Sequence, residues 1–224
     1  MKKLVFFIAL ILFVFVSSLF LVGCGSPNNN VLNNLSDIRY GVFDGKNEVA
    51  IASFVYGERE ENYSPDGICN KLTDFGIITV NLKQKYDKNE IQFALSDGTK
   101  TYSGTLEKSP YNSEYLADIG EQITIDTPLT LTLSIDSESN EIILTKKSSD
   151  FQIKYEEAID IGKKALKKEI ESNNSKRLEF QLKLISQNEI EFGKYFWSFS
   201  LIADDGTKHT VVFSTSSPDI LVKN

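Results

Sequence analysis

A chain of 224 residues with one histidine, His209, and two cysteines, Cys24 and Cys69, has few ways to build a reactive centre. A multi-histidine metal site is excluded, and two thiols cannot make a thiolate-rich zinc or iron–sulfur site. A thiol–imidazole pair of Cys69 and His209 is conceivable, but they lie far apart in the sequence and no local signature joins them. The plainer reading makes Cys69 a small, partly buried residue and His209 a strand residue in alternation with Val211 and Phe213. Carboxylates occur in adjacent pairs, Glu60/Glu61 and Asp204/Asp205, of the kind a glycosidase sets across a cleft. Adjacent acids on a turn or loop are solvated, and nothing here places two of them face to face. Asp136-Ser137-Glu138-Ser139-Asn140-Glu141 begins like an acidic calcium loop, but it lacks the glycine at position six and carries Lys147 at position twelve. It reads as a hairpin turn. Glycine-rich phosphate loops and the His-Glu-x-x-His, Gly-x-Ser-x-Gly and Ser-x-x-Lys signatures are absent from the sequence. The expectation is a chain with no catalytic residue, no cofactor and no metal site.

Charge narrows the class further. Lys+Arg 24 against Asp+Glu 31 gives a net charge of −7, which disfavours binding to nucleic acid through phosphate neutralisation. Only Arg39, Arg59 and Arg177 supply the guanidinium fork suited to bidentate phosphate contacts. The composition, 41% hydrophobic and 25% charged, is that of an ordinary folded chain.

The first residues supply the clearest motif. Met1-Lys2-Lys3 precedes an apolar run from Leu4 to Val22 that only Ser17 and Ser18 interrupt, and Gly23-Cys24 follows. The run is long enough for an uncleaved membrane anchor. Its order of basic start, apolar core and small residues is that of an export signal. Leu21-Val22-Gly23-Cys24 resembles the bacterial lipobox, in which the cysteine receives a diacylglyceryl group before cleavage. That resemblance implies a leader over 1–23, lipid attachment at Cys24, and a lipid-anchored protein on the extracytoplasmic face of the cell membrane. Loss of the leader leaves 201 residues and takes the charge from −7 to −9, because Lys2 and Lys3 are removed. Such an acidic body is not held to anionic lipid by its net charge. Acyl chains, at about 0.8 kcal/mol per buried CH₂, would hold it. Residues 24–36, rich in Asn, Ser and Gly, read as a flexible tether.

Residues 37–147 read as strands and turns. Leu129, Leu131, Leu133 and Ile135 alternate with polar residues; so do Ile78, Val80 and Leu82, and Ile91, Phe93 and Leu95. Asp44-Gly45 and Asp97-Gly98 read as hairpin turns. About seven strands joined by short turns suggest an antiparallel, immunoglobulin-like β-sandwich. Gly57 to Phe75 and Ser109 to Gly120 interrupt the pattern as long loops, and long loops are often functional. Tyrosine suits interfaces, so Tyr63, Tyr111 and Tyr115 are the candidate partner-binding residues.

From 148 the period changes. Tyr155, Ala158, Ile159, Gly162, Ala165, Leu166 and Ile170 make one helical face, and Lys163, Lys164, Lys167 and Lys168 crowd the other as a solvated surface. Three strands follow, with a turn at Asp205-Gly206. Residues 148–224 therefore read as a second domain, a small helix-on-antiparallel-sheet (α+β) unit. Ile153-Lys154-Tyr155-Glu156-Glu157-Ala158-Ile159, with Tyr195-Phe196-Trp197-Ser198-Phe199 and the last strand, resembles a PepSY-type domain. Lys154 stands where those domains usually have a Ser or Thr cap, and Ser216-Ser217-Pro218-Asp219-Ile220 replaces their usual closing segment. The resemblance implies an extracytoplasmic interaction module, of the kind that restrains peptidases, and carries no catalytic residue.

The function expected from these readings is a non-catalytic module that binds an envelope protein or peptide. The alternatives are an accessory subunit of an envelope membrane complex and, third, a hydrolase using scattered carboxylates.

Overall fold

The computed structural model describes residues 30–64, 66, 68–120, 128–186 and 192–224. The expected leader over 1–23 and the expected lipid site Cys24 lie outside the described residues. Among those described, twelve strands form one sheet, accompanied by two α-helices.

The strands are β1 (Leu35–Lys46), β2 (Ala50–Glu60), β3 (Leu72–Leu82), β4 (Glu90–Ser96), β5 (Thr101–Lys108), β6 (Tyr115–Ile119), β7 (Leu129–Ile135) and β8 (Glu138–Lys146), followed by β9 (Leu178–Ser186), β10 (Tyr195–Ala203), β11 (Lys208–Ser214) and β12 (Ile220–Lys223). The first eight run in the spatial order β1-β2-β3-β6-β5-β4-β7-β8. The ring closes where Phe43 pairs with Lys146 and Asp44 with Thr145. This closed antiparallel barrel overturns the expected sandwich. A sandwich and a small barrel bury the same alternate residues, so period alone does not separate them; pairing between the first and last strands does. Gly45 lets those strands meet, since a Cβ there would lie 2.1 Å from the Ile143 carbonyl oxygen. Asp44-Gly45 is therefore the closure point within β1 and not a hairpin turn. The turn falls at Asn47, whose Oδ1 accepts from the amides of Val49 (2.8 Å) and Ala50 (2.9 Å).

The barrel interior is filled by side chains. Phe43, Phe54, Ile78, Val80, Ile91, Leu95, Leu106, Leu131, Leu133 and Leu144 are among its buried residues, as is usual for a closed ring of eight strands.

The C-terminal strands do not make the separate α+β domain expected. They continue the barrel's own sheet, because β9 pairs in parallel with the start of β1 (Leu35↔Phe180, Asp37↔Gln181, Ile38↔Leu182). The outward order is then β9-β10-β11-β12, all antiparallel. One face of this outer sheet carries Phe180, Leu182, Trp197, Phe199, Leu201, Val211 and Phe213, against which α1 (Tyr155–Ala165) packs Ala158 and Ile159. Gly162 lets the helix approach, since a Cβ there would sit 2.3 Å from the Phe199 ring. A second short helix, α2 (Lys167–Ser172), follows after Leu166. Lys154 occupies the N-cap without a side-chain cap bond, and Glu156 and Glu157 supply favourable charge in the first turn. Trp197 Nε1 donates to the Ile153 carbonyl at 3.0 Å, fixing the entry to α1 against β10.

Residues 31–36, placed in the tether by composition, belong to the folded body. Val31–Asn34 make a 3₁₀ turn, Leu35 opens β1, and Val31, Leu35 and Ser36 are buried.

Candidate functional site

Among the described residues, two places bear most directly on function: a buried acidic cluster behind the outer sheet, and a groove where the barrel wall parts.

The cluster forms because the connection from β2 to β3 folds over β9. Register places Glu179 and Gln181 on the face of the outer sheet opposite the helices, paired with Ile202 and Ser200. Ser36 donates to Glu179 through its hydroxyl, and Gln181 Nε2 donates to Glu179 Oε1 at 3.1 Å. Glu60, at the end of β2, accepts from the Asn70 amide at 3.0 Å and from the Asn70 side chain. Both carboxylates are buried, and each keeps one oxygen (Glu60 Oε2, Glu179 Oε2) without a hydrogen-bond partner among the described residues. Burial raises the Glu179 pKa above the ordinary carboxylate value, against bonds from Ser36, Tyr63 and Gln181, and Glu60 adds to the rise. Tyr63 is half exposed, yet its hydroxyl lies beside Glu179, and burial and that carboxylate push its pKa up to about 12.

Cys69 belongs to the same cluster. Its thiol donates to the Leu35 carbonyl at 2.7 Å. Burial, then Glu60 and Glu179, push its pKa up to about 11. A thiol held protonated is a poor nucleophile. His209 is remote from it: His209 pairs with Leu201 on the helix-facing side of β11, where it lies near Glu169. The structure therefore keeps Cys69 and His209 apart, on opposite faces of the outer sheet.

The other acids also have structural roles. Glu61 is exposed while Glu60 is buried, so the pair does not face a common space. Asp205 meets Lys176 Nζ at 2.6 Å beside the Asp205-Gly206 turn, and Asp204 Oδ2 accepts from the Arg177 amide at 3.4 Å. Asp136 and Ser137 form a tight turn with positive φ, and Lys88 holds the Asp136 carboxylate at 2.7 Å. Among the described residues no three His, Cys, Asp or Glu side chains assemble with the geometry of a metal site.

The groove lies between β5 and β6. These neighbours pair only at Glu107↔Leu116 and Lys108↔Tyr115. Continuing that register would set Leu106, Thr105, Gly104 and Ser103 opposite Ala117, Asp118, Ile119 and Gly120, but no such pairs form among the described residues. The strands splay and leave a space of about 860 Å³ walled by 100–110 on one side and 116–120 on the other. Its floor is the barrel core. Of the eighteen buried core residues, only Phe93 (7%), Ala117 (9%) and Ile119 (7%) exceed 2% exposure, and all three line this space.

The groove sits on the segment Ser109 to Gly120, singled out in the sequence as irregular. Pro110, Asp118 and Gly120 line it. Tyr111, at the adjoining tip, is 95% exposed. Tyr115 is not available to a partner: it is 2% exposed, and its hydroxyl donates to the Lys88 carbonyl at 2.7 Å inside the barrel. Its place in β6 turns it inward, which corrects its selection as a contact residue. Sequence reasoning missed the groove-lining Phe93, Ala117 and Ile119, because alternation marks them as core without revealing that the wall above them parts.

Compared with protein families, with curated proteins and with solved structures, the chain matches none.

Proposed function

We propose that this protein is a lipid-anchored module of the cell envelope that binds a polypeptide partner and performs no catalysis. The observation that carries the binding assignment is the β5–β6 groove. It combines an apolar floor of Phe93, Ala117 and Ile119 with strand segments 103–106 and 117–120, which form no ladder with each other. Unpaired strand edges beside apolar pockets are what an extended peptide uses when it adds to a sheet. Its 860 Å³ lies within the range of ligand clefts, roughly 300–1,000 Å³. A strand entering there would run antiparallel to one wall and parallel to the other, since β5 and β6 are themselves antiparallel.

The anchoring half of the reading rests on the leader and the lipobox-like Leu21-Val22-Gly23-Cys24. The PepSY-like residues support an extracytoplasmic interaction role, with a secreted peptidase as one partner class. The acid–base chemistry on view supports binding over turnover: a protonated thiol, carboxylates engaged in turns, and buried acids away from any cleft.

The test is photo-crosslinking in the producing cell's own envelope, with a photoreactive residue placed at Ser103 or Thr105 on the full chain and, as control, at Ser137. The expected result is one polypeptide joined through the groove positions and not through the control. Equal labelling from all positions, or none, would sink the binding assignment. Replacing Cys24 with Ser is expected to move the chain from the membrane fraction to the soluble one. Unchanged sedimentation would sink the lipid anchor.

A further inference from the structure

Asn30, where the described chain begins, lies beside a lysine-rich surface of this acidic molecule. Asn30 and Val31 share a depression of about 410 Å³ with Lys163, Lys164, Lys167 and Ile170, at the end of α1 and the start of α2. Lys168 adds a fourth positive charge to the same run, while Asp160 and Glu171 offset part of it, each 3.7 Å from a lysine. Leu32 projects from the 3₁₀ turn that follows Asn30 and is largely exposed.

Chain length sets how far Asn30 stands from a lipid on Cys24. Six residue steps separate Cys24 from Asn30, and at no more than about 3.6 Å each they span about 20 Å at most. A body on so short a leash meets the membrane with the surface around Asn30. Charge selects the same orientation twice. The lysines are drawn to anionic headgroups within a Debye length of about 8 Å, and the remaining acidic surface is repelled by them.

Resting on the lipid anchor proposed above, we infer that the lysine face of α1 and α2 lies against an anionic phospholipid surface. The placement also directs the groove. Going round the barrel from β1, which carries the outer sheet, the β5–β6 gap falls after three strands one way and four the other. It opens on the side of the ring far from β1, the strand that joins the barrel to the helix-bearing outer sheet, and so away from the bilayer.

The full lipidated chain, purified from membranes, is reconstituted on vesicles of phosphatidylcholine alone or with phosphatidylglycerol added. Lysines are then acetylated briefly and their rates read by mass spectrometry, with Lys85 on the barrel as the internal control. The expected result is slower modification of Lys163, Lys164, Lys167 and Lys168 on the anionic vesicles, by about fivefold, with Lys85 unchanged. That factor corresponds to about 1 kcal/mol per lysine at an anionic surface. High salt is expected to abolish the difference. Replacing Lys164 and Lys168 with Gln, both exposed and outside the core, is expected to shrink it for the remaining two lysines. Equal rates on both vesicles, or slowing of Lys85 as well, would overturn the inference. A chain that does not float with either vesicle would instead overturn the anchor on which it rests.

Discussion

The barrel and the outer sheet solve the same problem in opposite ways. Each must bury one face of a sheet and dispose of its edges. The barrel joins β1 to β8 and packs an interior of apolar side chains, and among the described residues the core is most exposed at the β5–β6 gap. The outer sheet stays open. It covers one face with α1, tucks carboxylates under the β2–β3 connection on the other, and ends on the short strand β12, where Ile220, Leu221 and Val222 are exposed. Lys223 pins that strand, donating to the Ala165 carbonyl at 2.7 Å and meeting Glu169 at 2.9 Å. A short, pinned edge limits association with other chains. Closure therefore leaves an apolar interior with a parted wall at β5–β6, whereas openness leaves polar groups to be accommodated inside.

The largest test of the contrast is whether the two regions can come apart. Trp197 anchors the outer core, edge-on to Phe151 and bonded to Ile153. Trp197→Ala is expected to cost about 4 kcal/mol in denaturant unfolding. Because β1 belongs to both regions, the loss should appear as one shifted transition, and two separate transitions would show that the barrel stands alone. Next, Gly45→Val forces a side chain against the Ile143 carbonyl at the closure. The expected cost is about 3 kcal/mol, and an unchanged midpoint would mean that the β1–β8 joint adds little to the barrel.

A smaller effect separates the regions by pH. The folded-state pKa of Glu179 lies above its unfolded value, because burial outweighs its hydrogen bonds. The folded chain then holds that proton more tightly. Its contribution is complete below the ordinary carboxylate range, near 4.3, and is lost as pH rises through the raised value. Glu179→Gln keeps the bonding and removes the titration, so its midpoint should fall less than that of the natural chain as pH rises. The turn acid Asp97 acts in the other direction. Bonds from Lys100 and Thr99 lower its pKa to about 2, so its contribution is lost only in strong acid. Equal pH profiles for the natural chain and Glu179→Gln would remove the buried acid from the account. Smallest of all, Tyr111→Ala on the barrel's exposed tip should leave stability within about 0.5 kcal/mol, while weakening any partner crosslinked through the neighbouring groove.

Much of the local structure is legible in the residues. Alternation marks β4, β7, β9 and β10, the Asp-Gly pairs at 97–98 and 205–206 do turn the chain with positive φ at the glycines, and the helix begins at Tyr155. Barrel closure is not legible, because it depends on which distant strands meet. Asp44-Gly45 has the composition of a turn, but its glycine serves close approach between strands. The stretch 57–75 reads as loop because Glu58, Arg59 and Glu60 are charged, yet they extend β2, with Glu60 buried. A buried acid looks like a surface acid until its partners, here Asn70 ten residues on, are known. The groove leaves a trace only as irregularity over 109–120, since a missing ladder has no residue signature of its own.

The position of β1 bears on how the protein carries load. Were the proposed partner to pull from the groove against the proposed anchor, tension would enter the fold through the residues that lead into β1. There β1 lies between β9 and β2, hydrogen-bonded on both sides. Force along the strand then meets many such bonds together, in shear, instead of opening them one by one as at a peeled edge. The start of β1 is thus built to resist load applied along it.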